Sequence, residues 1–400
     1  MKATTRPLSD FTDAPLDLND VAAGDGYLFV RNGVGMAGRG VATRVPIDEA
    51  ASFLATVSHD STVGGASPVA LGVLGFRPGA PADMVVPQVL VRKFADGTVA
   101  VTVCGDVDDA AVATMLTPHP VAGASASSYR IEPGVHVDDY LAAVVAARDA
   151  VRAGLLTKAV IARPIMVHSS EPIDVHAVLQ RLRSSFGSSY RYSIDGFIGA
   201  SPELLVEVDG PVVRSHPLAG TAPRTGDVEN DARIAAELVA STKNQIEHRV
   251  VIDVVHDTLL PWASYLDWEP EPSIVTVANV QHLGTRMHGM LSQPGPSVVE
   301  LVRALSPTPA LGGHPRDAAI ELIERVEGFE RGRYGGAVGW VDAQGNGTWA
   351  VAIRCAELSD DRRSARLVAG GGIVADSDPI AELAETQAKF QAMLSAIVRP

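Results

Sequence analysis

Residues 190–216 read YRYSIDGFIGASPELLVEVDGPVVRSH, and this stretch decides the fold class. Tyr190–Ile194, Glu203–Val208 and Val212–His216 are strand-forming runs rich in β-branched and aromatic residues, and they follow one another with no helix between them. Strand after strand predicts antiparallel pairing and an α+β arrangement rather than a doubly wound parallel sheet. Upstream, a strand is expected at Leu155–Arg163, preceded by a helix from about Asp138 to Arg152 that ends at Gly154, a suitable C′ residue. Earlier still, Tyr27–Val30, Val69–Phe76, Val85–Phe94 and Val99–Cys104 are short β-rich runs separated by Gly, Pro and Asp. Thr117–Ser128, rich in Pro, Ala and Ser, is the expected boundary or long connection, dividing the chain into 1–128 and 129–400. Downstream, strands at Gly336–Val341 and Trp349–Cys355 mix with helices near Val228–Leu260, Val298–Leu305, Asp317–Glu327 and Pro379–Ile397. There is no internal repeat.

The 400 residues are 46% hydrophobic, enough for a large core and too apolar for intrinsic disorder. A formal charge of −14 disfavours nucleic-acid and anionic-membrane partners, although a few buried cations can still bind a small anion. Met1–Asp20 carries four aspartates and leaves no room for a secretory signal, and no later run is long enough to span a bilayer. Cys104 and Cys355 are the two cysteines, so a disulfide framework is not expected and a reducing, cytoplasmic location is.

Gly33-Val34-Gly35-Met36-Ala37-Gly38 matches the dinucleotide fingerprint and follows a strand. What comes next, Arg39 to Pro46, is rich in Gly and β-branched residues and closes on Pro, which opposes the helix a pyrophosphate needs. A glycine-rich hairpin is the better reading, and a nicotinamide-binding oxidoreductase is kept as the alternative from another class.

Four acids and two lysines stand out. On the long helix, Glu247 shares a face with Val250, Val251, Val254 and Thr258, where a carboxylate needs a metal ion or an Arg or Lys from a neighbouring element. In the last helix Asp378 caps, Pro379 occupies the first turn, and Glu382, Glu385 and Lys389 project from one face. The ordinary reading is a solvated face, but Gly370-Gly371-Gly372 precedes it, read as a turn whose amides can approach an anion. Lys158 alternates with apolar residues in its strand, so it is either a desolvated base or an edge-strand lysine. Glu203 follows Ser201-Pro202 at the start of a strand.

Taken together, these segments resemble the chorismate-binding family that contains isochorismate, salicylate, anthranilate and aminodeoxychorismate synthases. The ordered blocks are Gly199–Glu203, Pro217–Thr221, Lys243–His248, Val280–Leu283, Gly335–Gly339, Ile353-Arg354 and Gly370–Val374, spanning about Leu155 to Lys389. The resemblance implies large antiparallel sheets packed together with helices outside, as in the anthranilate synthase component I fold, with the part before Thr117 variable and integrated in the same fold. It implies magnesium as the one cofactor, held by Glu247 and Glu385, with Glu382 reaching it through water; hard oxygen ligands suit that ion. Arg354 with Tyr334 and the amides of Gly370, Gly371 and Gly372 resembles the set that binds the pyruvyl carboxylate, and His282, Gly220, Thr221 and Lys389 would complete the pocket. Lys158 and Glu203 resemble the acid/base pair that adds water to the ring and protonates the departing allylic hydroxyl.

Anthranilate synthases typically carry glutamine where this chain has Lys158, and aminodeoxychorismate synthases place a lysine where it has Ala219. The resemblance therefore implies an isomerase, an isochorismate synthase feeding siderophore or menaquinone synthesis, with no glutamine amidotransferase subunit and a monomeric chain. Salicylate synthase, which also eliminates pyruvate, is the near alternative, and Ser306–Gly313 looks more like the isochorismate enzymes. A third reading is a binding protein that keeps the pocket without turnover. Asn244 departs from the pattern, since many members carry an acid three residues before the counterpart of Glu247.

Overall fold

Asp83–Lys93 is where the architecture divides. In the computed structural model, which describes residues 1–117 and 127–399, one edge of this strand pairs along its length with Val34–Pro46. The other edge is shared between Val69–Leu74 and Val99–Cys104. From Val34–Pro46 one arm runs through Tyr27–Arg31, Tyr190–Ile194, Phe197–Ser201, Cys355–Leu358 and Ser364–Ile373 to Lys158–Ser169. From Val69–Leu74 the other runs through Ala337–Asp342, Gly347–Val351, Leu204–Asp209, Val212–His216 and Met287–Leu291 to Ala263–Trp268. Among the described strands every pairing is antiparallel except that of Lys2–Pro7 with Ser58–Ser61. The α+β reading with large antiparallel sheets holds, and strands from both sides of residues 118–126 share one sheet. The expected boundary at Thr117–Ser128 falls largely on 118–126, outside the described residues.

Strand alternation places the core. Phe29, Met36, Tyr192 and Phe197 of the first arm meet Val206, Val213, Val338 and Trp349 of the second in the largest apolar cluster. Their chain neighbours Leu28, Val30 and Ile198 point the other way, onto Val21, Leu179, Phe390 and Met393 of the helices Leu18–Ala22, Val175–Phe186 and Pro379–Val398. A small second sheet, with Val280–Gly284 between Leu218–Pro223 and Ser273–Thr276, carries the helix Val228–Ala240 through Ala222, Leu238 and Leu283.

Several expectations need correction. The helix expected over Val228–Leu260 is two, Val228–Ala240 and Thr242–Leu259, because Ser241 is extended and caps the second by accepting from the Asn244 amide. The strand expected to begin at Leu155 begins at Lys158, and Phe197–Ser201 is a strand the patterning missed. Trp349–Cys355 is broken, since Arg354 has φ +51° and separates Gly347–Val351 from Cys355–Leu358. Gly370–Gly372 is no turn: it is the end of the ten-residue strand Ser364–Ile373, in register with Ala162, Ile161 and Val160.

Gly33–Gly38 is a hairpin, and this removes the dinucleotide reading. Asn32 and Gly33, with φ +52° and +75°, form the tip between Tyr27–Arg31 and Val34–Pro46, and a strand follows where the pyrophosphate would need a helix.

Candidate active site

One cavity gathers Lys158, Glu203, Gly220, Thr221, Glu247, His282, Tyr334, Arg354, Gly370, Gly372, Glu382, Glu385 and Lys389. These are all of the site residues expected from the sequence except Gly371, which backs onto the last helix instead. The bare backbone of the glycine strand is what lets the acids in. A Cβ on Gly372 would run into Glu247 Oε1 and lie 2.9 Å from Lys158 Cε, and one on Gly371 would lie 2.6 Å from Glu382 Oε2. Glycine here serves the close approach of side chains to a strand, not the freedom of a turn.

Lys158 opens its strand and is 1% exposed, with its Nζ 2.8 Å from Glu247 Oε1. Glu247 therefore takes a lysine from a neighbouring element as its partner, the second of the two options its burial allowed. That pair also holds the Glu247 carboxyl below its ordinary range against the opposing effect of burial. Lys389 Nζ donates to Glu385 Oε1 at 2.6 Å and to the Gly370 carbonyl at 2.7 Å. Lys243, in the block quoted above but given no role by the sequence, stands 3.6 Å from Glu382 Oε1. Glu382 Oε2 has no hydrogen-bond partner among the described residues, and burial beside Glu385 pushes this carboxyl up to about 7.

The opposite wall is built differently. Pro202 breaks the chain between two strands, and Glu203 in the break is tied by its backbone, its amide donating to Ser201 Oγ and its carbonyl accepting from Val351. Its side chain receives one long bond, 3.3 Å from the Leu218 amide, and burial pushes the carboxyl up to about 7 despite the charges of Lys158 and Arg354. Gly220, at φ +77° in a bulge between Ala219 and Thr221, aims its carbonyl at His282 Nδ1, 3.2 Å away. Nδ1 donates there, so Nε2 is left to accept from Arg354 Nη2 at 3.1 Å. Burial and the nearby Arg354 keep His282 neutral. Arg354, half-buried and held at positive φ, has no carboxylate partner among the described residues.

The cavity is thus lined by four cations, four acids and a neutral histidine, with Arg354 and Glu203 lacking a charge partner among the described residues. It suits an anionic ligand that also needs a proton given and a proton taken. No three His, Cys, Asp or Glu side chains among the described residues stand together as a ready metal site. Glu247, Glu382 and Glu385 still offer hard oxygen donors, and the unpartnered Glu382 Oε2 fits a cation. Elsewhere, Cys104 and Cys355 are free buried thiols pushed up to about 11 and about 12 by burial, so neither is a nucleophile. No helix among the described residues is long and apolar enough to cross a membrane.

Residues 80–398 match the family model described as chorismate binding enzyme. Isochorismate synthase DhbC of Bacillus subtilis is 41% identical over 281 residues, 68% of this chain and 70% of that protein. Among solved structures, MenF, the menaquinone-specific isochorismate synthase of Escherichia coli, superimposes with a TM-score of 0.82 at 26% identity, covering 99% of this chain and 94% of that one. Anthranilate synthase component I of Streptococcus pneumoniae, at 23% identity and a TM-score of 0.71 over 92% of this chain and 90% of that one, shares the fold.

Proposed function

The chain belongs to the family of chorismate binding enzymes, and from that premise we propose that it is an isomerase converting chorismate to isochorismate. The observation that carries the reading is the placement of Lys158 and Glu203 in one buried cavity with Arg354 and Lys389. In the proposed reaction Lys158 takes a proton from the attacking water, whose oxygen bonds to the ring carbon beside the carboxyl-bearing one. Both double bonds of the ring diene shift by one position, and the allylic hydroxyl leaves as water with a proton from Glu203, a carboxyl pushed up to about 7 and so fit to give it. One water enters and one leaves, and nothing is oxidised. Arg354, without a carboxylate of its own, is proposed to take the pyruvyl carboxylate as a planar fork, with Tyr334 beside it.

Magnesium is proposed as the cofactor, held by Glu247 and Glu385 with Glu382 through water; when bound it would supply positive charge for the ring carboxylate. Glu247 would then exchange Lys158 for the cation, which frees the amine for its role. The enzyme is proposed to work in the cytoplasm as a monomer, without an amidotransferase subunit, because Lys158 and Ala219 favour water over ammonia. The product is proposed to feed siderophore or menaquinone synthesis; relatives are named as vibriobactin-specific, menaquinone-specific and salicylate-biosynthesis isochorismate synthases. Purified protein incubated with chorismate and magnesium should yield isochorismate by chromatography. Salicylate with pyruvate as the main product would move it to the neighbouring activity, and anthranilate on adding ammonium would overturn the role given to Lys158.

A further inference from the structure

Behind the Lys158 wall the sheet has a gap. One edge of Lys158–Ser169 pairs continuously with Ser364–Ile373. On the other edge Gly313-His314 pairs with Ala159 and Lys158, and Tyr129–Pro133 pairs with Ile165–Ser169, so no described strand covers Val160–Arg163 there. Strand backbone left open in a core is costly unless something else bonds to it.

The Val160 amide donates to the Gly312 carbonyl at 2.9 Å, and two side chains take up the rest of the gap. Glu327 Oε1 accepts the Ala162 amide at 2.7 Å. Arg331 Nη2 donates to the Val160 carbonyl at 2.7 Å and its Nη1 to the Leu311 carbonyl at 2.6 Å. The two residues bond each other through Arg331 Nε and Glu327 Oε2 at 2.8 Å, and again through Nη2 and Oε1. Both are 4% exposed, and the guanidinium lies 4.3 Å over the Phe76 ring. Three pieces of the cavity wall are joined by this pair: the strand that begins at Lys158, the Leu311 segment, and the turn where the Tyr334 amide bonds the Arg331 carbonyl.

We propose that Glu327 and Arg331 are positioning residues for the acid/base reaction: they stand in for a missing strand and thereby fix Lys158, Leu311 and Tyr334 relative to one another around the ligand. The proposal rests on the function given above. Neither residue lines the cavity, so their effect is expected chiefly in turnover. A base displaced by about 1 Å costs on the order of 100-fold in rate, whereas Arg354 and His282 on the far wall stay in place.

The test is steady-state kinetics of isochorismate formation by Glu327→Gln, which keeps an acceptor for the Ala162 amide but removes the charge that orients Arg331. Far below the melting temperature, kcat should fall on the order of 100-fold with KM changed by less than about threefold. Arg331→Lys keeps the positive charge but cannot present the fork to two carbonyls, and it should show the same split. It also serves if Glu327→Gln does not fold. Val167→Ala, a cavity in the same strand beyond the gap, is the control: it should lower the melting temperature and leave kcat unchanged. Glu327→Gln and Arg331→Lys behaving as Val167→Ala does would overturn the proposal. Absence of turnover in the unmodified protein would instead remove the function itself, and the proposal with it.

Discussion

The molecule holds two Glu/Arg combinations, and they are treated in opposite ways. Glu327 and Arg331 bond each other and three backbone groups, the Ala162 amide and the Val160 and Leu311 carbonyls, so their charges are matched and their geometry is fixed. Glu203 and Arg354 feel one another's charge but form no ion pair, and each is left with one neutral hydrogen-bond partner for its side chain. A buried charge left unmatched is costly, and a fold keeps it where a ligand completes the match. The difference teaches which of the two combinations is scaffold and which is chemistry.

The largest expected effect that would sharpen this contrast is on turnover. Glu203→Gln should lower isochorismate formation about 1000-fold, the scale of a lost general acid, with the fold intact by circular dichroism. A loss below tenfold would break the contrast, because Glu203 would then be one more buried acid.

Next is the pH dependence of stability in the ligand-free protein. The Glu203 carboxyl sits at about 7 when folded, above its ordinary 4.5, because burial disfavours its charge. Its stabilising contribution is complete below pH 4.5 and is lost as pH rises through about 7. Denaturant melts of Glu203→Gln and the unmodified protein should therefore diverge over that window, by roughly 3 kcal/mol in favour of the variant. His216 and His248 work the other way: burial pulls each down to about 4, so their contribution is present above pH 6.5 and is lost as pH falls toward 4. Parallel pH profiles for variant and parent would refute the assignment to Glu203.

A smaller effect is expected on binding. Arg354→Lys keeps the charge but not the fork, and should raise KM about 10-fold or more while kcat changes less, as befits a lost charge-assisted hydrogen bond. The smallest tests the region with no role. Gly33 has φ +75° and nothing within 4 Å of an added Cβ, so Gly33→Ala should cost about 1 kcal/mol of backbone strain and leave turnover alone. Tryptophan fluorescence should show no micromolar dinucleotide response.

Elements with strong local signals were legible. Tyr190–Ile194, Val212–His216 and Val298–Leu305 fall where patterning puts them, the last helped by the Ser297/Glu300 capping box. The break at Ser241 was not, because apolar spacing continues through it while one cap reverses the chain. Gly370–Gly372 misled for a related reason: a run of glycines looks like a turn, and the carboxylates that demand them come from helices about 125 residues upstream and 10 downstream. Gly33–Gly38 matched a motif and is a plain hairpin, so glycine spacing alone decided neither case.

The sequence by itself determined the fold class and the identity of the acids, amines and glycines that share the cavity, since these follow from local pattern and from ordered blocks along the chain. Helical spacing already offered the Glu385–Lys389 pair, whereas only the tertiary structure decided that Lys158 meets Glu247, that Glu203 and Arg354 have no opposite charge, and that Glu327 with Arg331 closes a gap in the sheet. The Lys158–Glu247 pair depends on an ångström separation between residues 89 positions apart, and a one-dimensional pattern carries no such distance.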